Sequence, residues 1–234
     1  LDYFRQALPA IRDYFSSVML EVQPLDTAEY RELRSLGADG VMLYQETYHQ
    51  ATYSQQHIKG RKSDILWRLD APDRLGQAGI EKIGLGILLG LADWRTDAMV
   101  LAHHLQYLQK TYWRCRFSLS VPRIRPCSGG SEPASPVSDK EFLQLICAFR
   151  LFMPELEISL STRESAYLRN HIIPLAITSA SAGSRTQPGG YIVEPENLEQ
   201  FSIDDKRSPQ QLAQTLQTQG LYPVWKDWES FLGR

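Results

Sequence analysis

The sequence is poor in cysteine: Cys115, Cys127 and Cys147 are the three among 234 residues. Their gaps of 12 and 20 positions (127 − 115 and 147 − 127) exclude a metal-binding loop of closely spaced thiolates, and an odd number of distant thiols argues against a disulfide framework. No apolar run approaches the roughly 20 residues needed to span a bilayer, and the N-terminus lacks a basic-then-apolar secretory pattern. Charge of one sign is scarce as well. Lys and Arg number 25 against 27 Asp and Glu, and the net −2 gives no counterion-release drive toward nucleic acid or an anionic membrane. The expectation is a cytoplasmic protein with small-molecule or protein partners, no nucleic acid and no membrane. Adjacent His103 and His104 cannot form the i, i+4 pair of a helical zinc site, and His57 stands alone in its loop. No Gly-rich phosphate loop ends in Lys-Ser or Lys-Thr, and spacing assigns no Ser-His-Asp set.

What is present is an alternation of short apolar strands with capped amphipathic segments, the order of a parallel sheet with helices outside. Strands are expected at 18–23, 41–45, 82–87, 117–121, 156–160 and 175–178. Asp26 with Glu29 forms a capping-box start, and Gly37 a stop. Asp70 and Pro72 open a helix ending near Gly79, and Thr96 one carrying Leu101, Leu105 and Leu108. Ser138 with Glu141 opens a helix whose Phe142, Leu145, Ile146 and Phe149 form an apolar stripe, and Ser208, Pro209 and Gln211 open the last one, ending at Gly220. A polar loop follows the second strand, and 122–136 is a loop too. Trp225, Trp228 and Phe231 share helical spacing, which suits a tail docked outside.

Six strands are two fewer than a closed barrel requires. Leu1 is not Met and lies in a helical run with Tyr3, Phe4, Leu8 and Ile11, as in a chain cut from something longer. The expected fold is α/β: a partial (β/α)₈ barrel of about six of eight units, corresponding to strands 3–8, over 1–204, with a helical extension over 205–234 packed on it.

Side chains alternate along a strand, so each strand splits by parity. One parity carries Val18, Leu20, Val22, Val41, Leu43, Phe117, Leu119, Val121, Leu156, Ile158 and Leu160, which should face helices. The other carries Glu21, Gln23, Tyr44, Glu46, Ser118, Ser120, Glu157, Ser159 and Ser161, with Gly84 and Gly86. An ordinary barrel fills that space with Val, Ile and Leu. Small and hydrogen-bonding residues there predict a polar lumen with room for a ligand, whose groups would satisfy buried carboxylates and hydroxyls.

Five segments stand at strand ends: Gln45-Glu46-Thr47-Tyr48-His49, Gly90-Leu91-Ala92-Asp93-Trp94-Arg95, Val121-Pro122-Arg123, Ser161-Thr162-Arg163-Glu164-Ser165 and Ser179-Ala180-Ser181-Ala182-Gly183-Ser184, with Gly189-Gly190-Tyr191 downstream. In this order, over essentially the whole chain, they resemble the radical S-adenosylmethionine enzymes that use aromatic amino acids, most closely the tyrosine lyases of thiamine thiazole synthesis. The resemblance implies that Ser161 and Arg163, with Ser159 beside them, hold the carboxylate of L-tyrosine. Read from the residues alone, Ser161 and Glu164 make a capping box and Arg163 is surface charge. The resemblance also gives Glu46 the amino or ribose groups of S-adenosylmethionine, where a buried Glu paired with an Arg is the plain alternative. Tyr48, His49, Gln23 and Ser181 are further candidates for that ligand, and Arg123 for a structural role.

Members of this family bind a [4Fe–4S] cluster through three closely spaced cysteines, a motif this sequence lacks and that is expected upstream of Leu1. The resemblance implies a full-length lyase that uses the cluster, S-adenosylmethionine and a reduced electron donor to break the Cα–Cβ bond of tyrosine, giving 2-iminoacetate, p-cresol, 5′-deoxyadenosine and methionine. Implied protein partners are a thiazole synthase and a flavodoxin-type reductant, and the present chain alone would be inactive. Alternatives are a hydrogenase-maturase type of lyase, which the lack of cysteine after Cys147 disfavours, and a non-catalytic barrel that binds a partner.

Overall fold

The computed structural model describes residues 1–125, 132–187, 190–191 and 201–225. Cys127, Gly189, Trp228 and Phe231, singled out above, lie outside them. Six strands, β1 (Met19–Glu21), β2 (Gly40–Met42), β3 (Lys82–Gly86), β4 (Arg116–Ser120), β5 (Glu157–Leu160) and β6 (Ser179–Ala180), are hydrogen-bonded neighbours in chain order. Leu20 pairs with Val41, Val41 with Ile83 and Ser159 with Ser179, all in parallel. Parallel neighbours need crossovers, which helices supply here. The class is α/β, with the strand order and connections of (β/α)₈ barrel units. The chain divides into two compact units, one chiefly Leu1–Gly86 with Met99–Ser118, the other chiefly Ile87–Ala98 with Leu119–Pro223.

In the first unit, α1 (Asp2–Arg12) precedes β1, and α2 (Thr27–Ser35) follows it behind the expected capping box, Asp26 N–H donating to Glu29 at 2.7 Å. Tyr30 and Leu33 of α2 are buried, as is Leu75 of α5 (Ala71–Ala78), the helix α2 packs on. Gly79 ends α5 at φ +78, a left-handed cap that suits glycine. Gly40 answers a different need. A Cβ there would lie 2.4 Å from Met19 Sδ and 2.7 Å from the Lys82 carbonyl oxygen, so only a bare Cα lets β1, β2 and β3 approach. The loop expected after the second strand contains α3 (Gln50–Gln56), a 3₁₀ turn (Arg61–Ser63) and α4 (Ile65–Leu69). Asp64 starts α4 by accepting from Leu66 N–H at 3.0 Å and Trp67 N–H at 3.1 Å.

In the second unit, Ser138 and Glu141 reciprocate at the start of α7 (Asp139–Phe152), whose predicted stripe is buried. After β5, α8 (Ala166–Ala176) takes the first two of the four positions, 175–178, where the sixth strand was expected. Ile172, Ile173 and Ala176 are buried on the inner face of this helix while Leu175 is exposed, and β6 begins only at Ser179. Beyond it, α9 (Pro209–Thr218) opens on the Ser208–Gln211 capping box. The helix α6 (Trp94–Thr111) begins two residues before Thr96, and Asp93 accepts from Thr96 N–H at 2.8 Å.

Parity holds for the apolar face from β2 to β5, where Val41, Leu43, Phe117, Leu119, Val121, Leu156, Ile158 and Leu160 are all buried, whereas along β1 Val18 is buried and Leu20 and Val22 are half-buried. The polar face differs from the enclosed lumen that was expected. Ser118 is buried, but Tyr44, Glu46, Ser120, Glu157, Ser159 and Ser161 are half-buried, and Glu21, Gln23 and Ser181 are exposed. The exposed members stand on or beside β1 and β6, the ends of the strand order, where no further strand among the described residues covers them. Among the described residues no helix is long and apolar enough to cross a membrane.

Candidate functional site

In the first unit the ladder of β2 continues past the strand, Leu43 N–H donating to Gly84 O at 2.8 Å and Gln45 N–H to Gly86 O at 2.9 Å. Glu46 then turns to φ +73, alone among the described non-glycine residues in having a positive φ. Such a backbone costs on the order of 1–3 kcal/mol and persists only where surroundings hold it. The surroundings are cationic. Lys62 Nζ donates to Glu46 Oε1 at 3.1 Å and Arg68 Nη2 to the same oxygen at 3.3 Å, and Arg68 also donates to the Tyr44 carbonyl. His57 Nε2 lies 3.2 Å from Glu46 Oε2, out of line for a hydrogen bond, with its ring edge-on to Tyr53. The plain alternative for Glu46, pairing with a neighbouring Arg, is therefore present, and His57 is not alone.

The other candidates of this unit have assigned local work. The Tyr48 hydroxyl and His104 Nδ1 share a hydrogen bond at 2.8 Å. Burial pushes His104 below the ordinary imidazole value, outweighing Asp73 and Asp70, which favours the neutral ring. His49 caps α3, its ring Nδ1 facing Thr52 Oγ1 at 2.8 Å and Thr52 N–H at 3.4 Å. Gln23 is exposed just beyond β1.

In the second unit, 161–164 is a turn and not the start of the helix: α8 begins at Ala166, with Ser165 as its cap accepting from Leu168 N–H at 3.2 Å. The Ser161–Glu164 capping box does not form. Ser161 Oγ accepts from Arg163 N–H at 3.2 Å, while buried Glu164 takes Arg123 and, at 3.0 Å, Arg125. Arg123 is thus structural, and the Glu164 hydrogen bond and charge keep it protonated against the pull of burial. The Arg163 guanidinium lies 3.7 Å over the Phe201 ring and donates to the Arg123 carbonyl at 3.4 Å. Stacking engages its face and fixes the plane in which its N–H groups lie. Ser159 is half-buried on β5, and Ser181 N–H donates to Leu160 O at 3.1 Å.

Three groups escaped the sequence reading. Lys62 and Arg68 carried no local signal. Arg169 did: it sits within the apolar stripe of α8, and its side chain is fully buried (0% exposed). It donates to Asp205 and to the Ser181 carbonyl. Arg207 Nε reaches Asp205 Oδ1 at 2.9 Å, and Thr162 O accepts the N–H groups of Asp204 and Asp205, each at 3.1 Å. Burial alone would raise the Asp205 carboxyl, but hydrogen bonds from Arg207 and the charge of Arg169 hold it below its ordinary value.

The described residues do not fit an iron–sulfur cluster. Among them no three His, Cys, Asp or Glu residues gather to hold a metal. Cys115 donates its thiol to Ile80 O at 3.2 Å, and burial pushes that thiol up, away from the thiolate a cluster needs.

A family model described as the Biotin and Thiamin Synthesis associated domain matches residues 120–222. The chain is 60% identical along its whole length to 2-iminoacetate synthase of Salmonella typhimurium and 59% identical to that of Escherichia coli. It spans 62% of the length of each. The crystal structure of HydG, a maturase of the [FeFe]-hydrogenase, superposes with a TM-score of 0.88 at 34% identity, over 96% of this chain and 50% of that one. Methylornithine synthase superposes at 0.74 with 18% identity over 96% of this chain and 64% of the other, a likeness of fold alone. By sequence along its full length, the chain is a relative of 2-iminoacetate synthase.

Proposed function

We propose that this chain is part of a lyase that cleaves the Cα–Cβ bond of L-tyrosine to 2-iminoacetate and p-cresol for thiamine thiazole synthesis. Identity of 60% over the whole chain carries the reading. The protein is cytoplasmic in this reading and is served by a flavodoxin-type reductant and a thiazole synthase. In this reading the barrel units run over 1–204, and the extension that follows contains α9. S-adenosylmethionine and a [4Fe–4S] cluster supply the one-electron chemistry when bound, and the cluster ligands lie outside the described residues.

The chain's own work is binding and orientation. Ser159, Ser161 and Arg163 receive the tyrosine carboxylate, the guanidinium plane being set by Phe201. Glu46 serves S-adenosylmethionine, and its donor set suits that ligand in a particular way. Its −1 charge stands against +1 from Lys62 and +1 from Arg68, which disfavours an ammonium and favours the ribose hydroxyls. Gln23, Tyr48, His49 and Ser181 shape the surroundings of the same ligand.

The test uses the full-length protein with its cluster, S-adenosylmethionine, a reductant and tyrosine. It should release p-cresol, and Arg163→Ala should raise the tyrosine KM strongly, because losing a charged hydrogen-bond partner costs roughly 2–5 kcal/mol. Unchanged tyrosine kinetics in that variant would remove the carboxylate assignment, and absence of p-cresol from the parent protein would remove the lyase.

A further inference from the structure

Residues 201–205, a segment without helix or strand, are fastened to the turn that follows β5. The Thr162 carbonyl accepts the N–H groups of both Asp204 and Asp205, each at 3.1 Å. Thr162 is 1% exposed, so breaking that three-centre bond would leave buried backbone groups unpaired. The Asp205 side chain goes on to Arg169, which also donates to the Ser181 carbonyl just beyond β6. At the other end, the Thr186 hydroxyl donates to the Phe201 carbonyl at 3.2 Å. Both ends of the segment are tied down, one of them to the residue immediately before Arg163.

This fastening accounts for the place of Phe201. Its ring is half-buried and stands apart from the buried apolar core, yet the Arg163 guanidinium lies 3.7 Å from its centroid. The long 3.4 Å hydrogen bond from Arg163 Nη1 to the Arg123 carbonyl is a weak restraint by comparison. A flat cation resting on an aromatic face directs its N–H edge along the ring plane. Tyrosine's carboxylate matches such an edge through two parallel N–H···O bonds, and an arginine ordered beforehand has less rotamer freedom to lose when the ligand arrives.

We propose that Phe201 is a positioning residue for the substrate carboxylate, held over Arg163 by the ties from segment 201–205 to Thr162 and Arg169. It acts through the guanidinium and not by contact with the substrate. This rests on the assignment of Arg163 to the tyrosine carboxylate made above.

The experiment is equilibrium titration of the cluster-loaded full-length protein with L-tyrosine and, separately, with tyramine, which keeps the phenol and the amine and lacks the carboxylate, alongside thermal melting. Phe201→Leu should weaken L-tyrosine about two- to tenfold, the cost of ordering one long side chain at the moment of binding, and leave tyramine unchanged. Phe201→Tyr, which keeps the aromatic face, should bind L-tyrosine like the parent. Phe201→Leu combined with Arg163→Ala should bind L-tyrosine no more weakly than Arg163→Ala alone, a comparison that holds without tyramine. If Arg163→Ala weakens L-tyrosine while Phe201→Leu only melts earlier, or weakens both ligands alike, the positioning role is wrong and the Arg163 assignment stands. If Arg163→Ala binds L-tyrosine like the parent, the assignment itself fails. Should Phe201→Leu not fold, Phe201→Met, which keeps apolar bulk without a ring face, must still weaken L-tyrosine and spare tyramine.

Discussion

Replacing Asp205 by Ala should be among the most damaging single changes in the second unit. Its carboxylate is fully buried and accepts from Arg169, itself fully buried, and from Arg207 through Nε at 2.9 Å, Nη2 at 2.6 Å and its backbone N–H at 3.1 Å. Removing one partner of such a pair strands the other charge in the core, at about 3–5 kcal/mol. For a transition with an m-value of about 3 kcal/mol/M in urea, the midpoint should fall by about 1–1.7 M. Circular dichroism at increasing urea reads this directly. The companion double variant, Arg169→Met with Asp205→Leu, should recover most of the loss, because an apolar pair of similar volume carries no desolvation cost. The pH dependence has a definite sign. The folded carboxyl titrates below its unfolded value, so its contribution is complete above about pH 4 and fades as pH falls through the folded value. The gap between parent and Asp205→Asn should therefore be level from pH 5 to 8 and shrink below pH 4. A midpoint shift smaller than about 0.3 M for Asp205→Ala would refute the reasoning.

Burial depresses the folded pKa of His104, so the unfolded chain binds more protons below about pH 6.5, and stability should decline as pH drops through that value. His104→Gln should flatten that part of the profile in a series of urea titrations, and an unaltered slope would count against a buried neutral ring. Gly40→Ala forces a methyl to within 2.7 Å of the Lys82 carbonyl oxygen, which belongs to the backbone and cannot swing aside. A loss of about 1–3 kcal/mol is expected from thermal melting, and a stability equal to the parent's would show that β1 and β3 are free to part.

Elements whose signals are local were legible. Capping boxes at Asp26, Ser138 and Ser208 fell where expected because each is a short-range exchange between a side chain and a backbone N–H. The sixth strand, expected at 175–178, was placed four residues early because Leu175 and Ala176 continue the apolar run of α8 into its last turn, and nothing in so short a run marks where helix gives way to strand. The site was legible by position and less so by partner. Glu46 and Arg163 stand at strand ends as expected, but Lys62 on the 3₁₀ turn, Arg68 on α4 and Phe201 reach them along return paths that no periodicity encodes. Ser161 with Glu164 met the spacing of a capping box and still failed to form one, since Arg123 and Arg125 compete for the same carboxylate.

The carboxylate of Asp205 comes 36 positions after the guanidinium it neutralises. At about 5–20 residues per second, a ribosome leaves Arg169 waiting roughly 2–7 s for its counter-ion. Throughout that interval α8 carries an unpaired cation on the face that must become dry, so this half of the molecule cannot complete its interior until synthesis has passed residue 205. A stall before that point should leave a nascent chain open to chaperones and proteases, however well its earlier helices have formed.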